Sequence, residues 1–105
     1  MFMRIVWGRV RAGQWDQYEE AYKKALRPGS QNIKGLRGRW LVRDIDNPDA
    51  GFSVSLWESM EAIKRYETSE FFRSKVLPAL RPFFVDDFTA THGEVRVKEE
   101  FVAHA

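Results

Sequence analysis

The alternation of hydrophobic and polar residues divides the chain into predicted strands and helices. Residues 2–11 are rich in Ile, Val, Phe and Trp, which predicts a first strand. Residues 14–26 repeat their apolar side chains at helical spacing, which predicts an amphipathic helix. Its apolar stripe consists of Trp15, Tyr18, Tyr22, Ala25 and Leu26. The Pro28-Gly29 pair predicts the end of this helix.

The middle of the chain predicts a β-hairpin. Residues 35–44 alternate apolar side chains with arginines, as a half-buried strand does. The apolar positions are Leu36, Trp40 and Val42, and the arginines are Arg37, Arg39 and Arg43. Residues 44–51 are dense in turn formers, and residues 52–57 predict the returning strand.

The last third of the chain predicts a second helical region and a fourth strand. Residues 59–80 carry an apolar face at helical spacing, and Ser59 can cap the start of the helix. Pro78 is expected to kink or end this helix, because proline lacks an amide donor and clashes with the preceding turn. Residues 83–97 predict the last strand, with a turn or bulge at His92-Gly93.

The predicted order is therefore strand, helix, strand, strand, helix, strand. Two right-handed strand–helix–strand units form a four-stranded antiparallel sheet with both helices on one face. We expect an α+β, ferredoxin-like domain over residues 1–97, and a C-terminal tail or arm over residues 98–105.

Two helices can cover only one face of such a sheet. The other face is expected to mix apolar side chains with small hydroxyls, Trp and Arg. Leaving aromatic rings in water is costly, since each buries roughly 150–250 Å2 when covered. We therefore predict a homodimer whose two sheets face each other around a barrel-like core. The alternative is a monomer in which residues 98–105 fold over the sheet.

Composition narrows the function classes. Of the 105 residues, 44% are hydrophobic and 30% are charged, which is typical of a folded, soluble protein. The net charge of +2 is too small to require nucleic acid or anionic lipid. Cysteine is absent, and no apolar run is long enough for a membrane span or a signal peptide, so we expect a cytoplasmic protein. Aromatic residues make up 14%, and such side chains line pockets and interfaces as well as cores.

An RNA-binding domain is the main alternative from another class, because some RNA-binding domains share this order of elements. Residues 34–40, KGLRGRW, faintly resemble the basic-glycine-aromatic signature of those domains. They lack the aromatic residue at the third place, and they lie on the second strand instead of the third. We therefore expect no nucleic-acid partner and no membrane partner.

Residues 55–63, SLWESMEAI, together with Tyr66, Ser69 and the Phe71-Phe72 pair, resemble the antibiotic biosynthesis monooxygenase family. The resemblance extends over about residues 2–97. It implies ferredoxin-like chains that dimerise through their sheets into an α+β barrel. It also implies a monooxygenase-like oxidoreductase that oxidises a flat phenol- or quinol-like substrate without a cofactor. The alternative function is a non-catalytic dimeric module that binds a small aromatic molecule.

Single positions refine what the resemblance implies. Trp57 stands where the polyketide-oxidising members have a Trp, whereas Ser53 and Ile63 replace their Asn and Tyr. The haem-degrading members have a Trp where Tyr66 stands, and an axial His at the place of Val76. No cofactor is expected; haem stays open, although that axial His is missing.

The chemistry of the side chains gives the candidate site residues. Trp57 could stack against a flat substrate, and Tyr66 or His92 could relay a proton. Arg39 could hold a phenolate or carboxylate if it points into the barrel cavity. Further candidate substrate contacts are Ser53, Ser55 and Trp7. Each candidate also has a purely structural interpretation: core aromatics, a solvated arginine stripe, or an exposed histidine. Two separated histidines predict no metal site.

Overall fold

The computed structural model describes residues 1–103 as a four-stranded sheet with helices on one face. The strands are β1, Phe2–Arg9; β2, Leu36–Arg43; β3, Ala50–Trp57; and β4, Thr89–Glu94. The helices are α1, Trp15–Ser30; α2, Met60–Glu67; and α3, which is π-helical over Phe71–Val76 and α-helical over Leu77–Leu80. A 3-10 turn at Arg81–Phe83 follows α3.

The strands lie in the order β2-β3-β1-β4, and all neighbours are antiparallel. Helix α1 connects β1 to β2, and α2 and α3 connect β3 to β4, so each half of the chain is a strand–helix–strand unit. The predicted α+β, ferredoxin-like arrangement is confirmed. Within the described range, no helix has the length and apolar character needed to cross a lipid bilayer.

Two predicted boundaries were wrong. Helix α1 continues through Pro28 and ends at Ser30. A proline so close to the end removes only one amide donor, and the Ser30 hydroxyl donates to the Leu26 carbonyl across the same turn. Strand β4 begins at Thr89, because residues 81–88 run through the 3-10 turn and an irregular segment.

Helix α3 continues past Pro78, where a kink or an end was expected. In a continuous α-helix its ring would clash with the carbonyl four residues earlier. The preceding residues adopt wider π-helical turns instead, and the Leu77 amide donates to the Phe72 carbonyl five residues before it. The α-helical part of α3 then ends at Leu80.

A β-bulge at the start of β2 changes which residues share a face. The pairing with β3 shifts by one residue between Leu36 and Gly38. Leu36 therefore packs against the core beside the helices, although simple alternation groups it with Trp40 and Val42.

The inner face of the sheet is the face covered by the helices. Gly8 of β1 and Gly51 of β3 lie opposite each other there. A methyl group on Gly8 would overlap the Phe84 ring. A methyl group on Gly51 would overlap the Val42 carbonyl oxygen and lie 2.5 Å from the Trp15 ring. The two aromatic rings therefore rest directly on the backbone of the sheet.

The outer face of the sheet is apolar and is not covered by any described residue. It consists of Met3, Ile5, Trp7, Trp40, Val42, Phe52, Val54 and Leu56, with threonines of β4 at its edge. The exposed fractions of Trp7, Trp40 and Val42 are 39%, 50% and 46%. The expected tryptophans lie on this face, but the expected serine hydroxyls do not, because Ser53 and Ser55 line the cavity beneath the helices.

The C-terminal segment leaves the outer face open. Residues 95–103 form no helix or strand. Phe101 and Val102, the apolar side chains that could have packed on the sheet, are 85% and 88% exposed. The expected tail therefore does not fold over the sheet within the described residues, and its last two positions, 104 and 105, lie outside them.

Gly51→Ala is expected to lower the free energy of unfolding by about 1–3 kcal/mol, because the methyl group has no space between the Val42 carbonyl and the Trp15 ring. Urea unfolding measures this change. Gly93→Ala is the control, since a methyl group on this β4 residue meets nothing within 4 Å. It should change the free energy by less than about 0.5 kcal/mol. Equal losses in the two variants would contradict the close packing described at Gly51.

Candidate functional site

A small cavity of about 50 Å3 lies between the inner face of the sheet and the helices. Its polar lining consists of Arg4, Arg39, Ser53, Ser55, Tyr18, Tyr22 and Tyr66. Its apolar lining includes Trp57, Phe72, Val76, Leu80, Phe84 and Phe88. This cavity lies within one chain. The site was predicted in the interior of a barrel between two sheets, so the cavity is at a different place.

Arg4 brings a buried positive charge to this cavity. It lies on β1, and only 8% of the residue is exposed. Its Nε donates a hydrogen bond to Oε2 of Glu67, at 2.7 Å, in the last turn of α2. Nε2 of His92, on β4, lies 2.9 Å from the same oxygen. Glu67 therefore ties the cavity cation to the helix and to the edge strand.

The pKa of Glu67 reflects these contacts. Partial burial alone would raise it, but the hydrogen bonds and charges of Arg4 and His92 outweigh burial and lower the pKa below its usual value. Glu67 is therefore ionised at neutral pH and compensates the charge of Arg4.

The Nη atoms of Arg4 have no hydrogen-bond acceptor in residues 1–103. The guanidinium carbon lies 5.1 Å from the centre of the Phe72 ring and 5.8 Å from the centre of the Tyr66 ring. Both distances are in the range of cation–π contacts. The aromatic rings and the Nε bond to Glu67 hold the group in place while its Nη donors stay free for a ligand.

Arg39 supplies a second guanidinium from β2. It donates to the Ser30 hydroxyl at the end of α1, and its guanidinium carbon lies 5.9 Å from the centre of the Tyr22 ring. Oη of Tyr22 and Oγ of Ser53 share a hydrogen bond of 2.6 Å. This group of side chains links α1 to β2 and β3.

The tyrosines of the cavity are held in their neutral form. Burial raises the pKa of Tyr66 to about 12, although the charges of Arg4 and Arg39 oppose the shift. Burial also raises the pKa of Tyr22, against the hydrogen bond from Ser53 and the same two arginines. Because both phenols keep their protons near neutral pH, they can act there as hydrogen-bond donors and not as bases.

Trp57 forms part of the aromatic wall. It ends β3, and 1% of it is exposed. Its Nε1 donates to Oγ of Ser55 at 2.8 Å, which satisfies the only polar atom of the ring. The ring centres of Trp57 and Tyr66 are 5.2 Å apart, and those of Tyr66 and Phe72 are 4.9 Å apart.

An open cleft of about 400 Å3 lies between α1 and β2, next to the cavity. It is lined by Glu19, Tyr22, Lys23, Leu26, Arg27, Arg39 and Leu41. Tyr22, Leu26 and Arg39 line both the cleft and the cavity, so these side chains separate the cavity from solvent.

The structure brings most of the candidate residues from the sequence together. Trp57, Tyr66, Arg39, Ser53 and Ser55 all line the cavity. Two candidates do not line it. His92 reaches it only through Glu67, and Trp7 lies on the opposite, outer face of the sheet.

Three residues of the site were not anticipated: Arg4, Tyr22 and Glu67. The signal for Arg4 was present, because it is the one charged side chain among the inward positions of β1. Tyr22 was assigned to the apolar stripe of α1, and the hydrogen bond between its hydroxyl and Ser53 could not be foreseen from that position. Glu67 is one of several acidic residues on the helices. Its role depends on contacts with Arg4 and His92, which lie 63 and 25 residues away in the chain.

Metal ligation is not evident at this site. In the part of the chain that the structure describes, no three His, Asp or Glu side chains lie close enough together to hold a metal ion.

Comparison with known proteins gives the family. The model of the antibiotic biosynthesis monooxygenase family matches residues 1–76 of the 105. A search of curated proteins finds no match to the chain.

Three solved structures described as antibiotic biosynthesis monooxygenases share the fold. The protein of Bordetella bronchiseptica has a TM-score of 0.81 and 21% identity, covering 91% of this chain and 97% of its own. The protein of Nitrosomonas europaea has a TM-score of 0.78 and 10% identity, covering 92% and 100%. The protein of Caulobacter crescentus CB15 has a TM-score of 0.77 and 15% identity, covering 93% and 90%. Because the family model matches most of its length, the chain belongs to the antibiotic biosynthesis monooxygenase family.

Proposed function

We propose that the protein is a monooxygenase that oxidises a flat phenol- or quinol-like substrate in the cavity between the sheet and the helices. Family membership supports the monooxygenase-like role. The observation that carries the substrate class is the composition of the cavity. Two guanidinium groups and neutral tyrosine hydroxyls lie beside an aromatic wall, so the site can stack a flat ring and stabilise an oxyanion on it.

The proposed reaction needs no cofactor because the substrate supplies the electrons. A ring-activated CH2 group becomes a carbonyl: one atom of O2 enters the product, and the other leaves as water with the two substrate hydrogens. Loss of the first proton gives an electron-rich oxyanion. The positive charges of Arg4 and Arg39 favour that anion, and Tyr66 donates a hydrogen bond to it.

The roles of the side chains follow from their protonation. The pKa of Tyr66 is raised to about 12, so its hydroxyl keeps its proton near neutral pH and cannot serve as a base there. His92 does not line the cavity, so in this proposal it acts only through Glu67. The two arginines make the substrate itself more acidic, and a water molecule can then accept its proton.

The volume of the cavity sets a condition on this function. A cavity of about 150 Å3 is needed to admit a single benzene ring, whereas this one measures about 50 Å3. Side chains must therefore move to admit a substrate, and Arg39 and Tyr22 are placed to do so because they border the open cleft. The same condition applies to the second candidate function, a module that binds a small aromatic ligand without turnover.

We also propose that two chains associate through the outer faces of their sheets. Proteins of this family are commonly dimeric. The apolar outer face supports the proposal, since Trp7, Trp40 and Val42 each leave more than a third of their surface exposed in a single chain. Large apolar patches of this kind mark protein interfaces.

Light scattering is expected to give twice the mass of the chain for the wild-type protein. Trp40→Lys should shift the mass toward the monomer, because it places a charge in the apolar interface. Trp40 is half exposed in the single chain, so the substitution leaves the core intact. Gln17→Lys adds the same charge on the exposed side of α1 and should leave the mass unchanged. A monomeric wild-type protein would remove the proposed dimer.

Oxygen uptake with anthrone-type and quinol substrates is expected for the wild-type protein. Tyr66→Phe should lower kcat by about 100-fold, because it removes one hydrogen-bond donor to the oxyanion and keeps the ring. The phenol stays protonated at pH values well below about 12, so the variant should reduce the rate without shifting its pH dependence near neutrality. Circular dichroism checks that the fold is retained. Substrate binding without oxygen uptake would favour the binding module instead.

A further inference from the structure

The charges around the cavity do not cancel. Arg4 and Arg39 each bring one positive charge, and the cavity tyrosines are neutral. Glu67 compensates Arg4, but no carboxylate in residues 1–103 lies within 4 Å of Arg39. Arg39 is partly buried, and a cation that has lost part of its hydration is stabilised when an anion meets it. The net charge of Arg4, Glu67 and Arg39 is therefore +1, which favours a ligand that carries one negative charge.

The geometry of Arg4 narrows the kind of anion. Its Nε is engaged by Glu67, which leaves the two Nη atoms at the end of the guanidinium group without a protein acceptor in the described range. Two parallel N–H donors match the two oxygens of a carboxylate, so the pair can form two hydrogen bonds at once. A phenolate has only one oxygen to offer.

The open cleft between α1 and β2 provides a positively charged approach. Lys23, Arg27 and Arg39 line it, against one acid, Glu19. Nζ of Lys23 lies 3.5 Å from Glu19, which leaves the other two cations unmatched by this acid. A funnel of one sign of charge raises the local concentration of ligands of the opposite sign.

We infer that the cavity binds flat aromatic acids through their carboxylate, which enters by the cleft between α1 and β2 and is held by Arg4 and Arg39. The inference rests on the proposed function in treating this cavity as the substrate site. It adds that the phenol- or quinol-like substrate carries one carboxylate, and that with both arginines on this group the hydrogen bond from Tyr66 is the direct contact left for the oxyanion formed in the reaction. Glu67 is then a positioning residue, since it orients the guanidinium of Arg4 without touching the ligand.

Benzoate and its neutral analogue benzamide provide the test, with binding measured by isothermal titration calorimetry. Benzoate is expected to bind the wild-type protein at least about tenfold more tightly than benzamide, because only the carboxylate brings a negative charge to the guanidinium groups. Arg39→Gln should weaken benzoate binding by about tenfold and benzamide binding by much less. This variant avoids the buried Arg4, whose loss would strand Glu67 in a half-buried position.

Arg37→Gln is the matched control. Arg37 lies on the same strand and is exposed, where it pairs with Glu58 away from the cavity. Its loss should leave the binding of both compounds unchanged. Equal affinities for benzoate and benzamide, no benzoate binding, or equal weakening by the Arg37 and Arg39 variants would each overturn the inference. Binding of 4-nitrophenolate in preference to benzoate would also overturn it.

The test separates the inference from the proposed function. Benzoate has no CH2 group for the proposed oxidation to attack, so its binding does not depend on turnover. If benzoate binds as expected while anthrone-type and quinol substrates give no oxygen uptake, the carboxylate site stands and the monooxygenase proposal fails.

Discussion

A guanidinium group buried in an apolar layer must be paired, and the pairing of Arg4 with Glu67 organises this protein. Arg4 lies on a central strand, and Glu67 lies in the last turn of α2. Removing one partner of such a pair leaves an uncompensated buried charge, which typically costs 3–5 kcal/mol. The pair therefore fixes how α2 sits on the sheet. It also keeps a cation inside the cavity with its outer donors free.

The sheet distributes polarity in the reverse of the usual way. Half-exposed antiparallel sheets commonly turn apolar residues toward their helices and polar residues toward water. Here β1, β2 and β3 turn Arg4, Arg39, Ser53 and Ser55 inward, and many of their intervening apolar residues face outward. One chain thus gains a mostly apolar cavity with a few polar and charged groups beneath its helices. It also gains an apolar outer face that is poorly suited to water. The same arrangement of side chains therefore produces both the cavity and the surface through which two chains are proposed to associate.

The order of elements was predictable because each strand and helix has a clear local pattern, and the prediction was confirmed. The SLWESMEAI segment pointed to the family, which the comparison also supports. Placing side chains inside the molecule was harder. The serines of β3 looked suited to an exposed face because they are small and polar, and only the pairing of β1 with β3 brings them beneath the helices. The bulge that moves Leu36 inward likewise depends on pairing with another strand, so alternation within β2 could not reveal it. The position of Arg4 on β1 was a signal, but its role was not foreseen because its partner Glu67 comes from a distant helix.

The opposed glycines of the inner face constrain how this sequence can change over evolutionary time. Gly51 can acquire a side chain only if the ring at Trp15 becomes smaller or moves, and Gly8 is coupled in the same way to Phe84. These are two pairs of positions in which a tolerated change at one member depends on the other. In related chains, larger residues at positions 8 and 51 should therefore accompany smaller ones at positions 84 and 15. Such substitutions would follow one another as compensating steps.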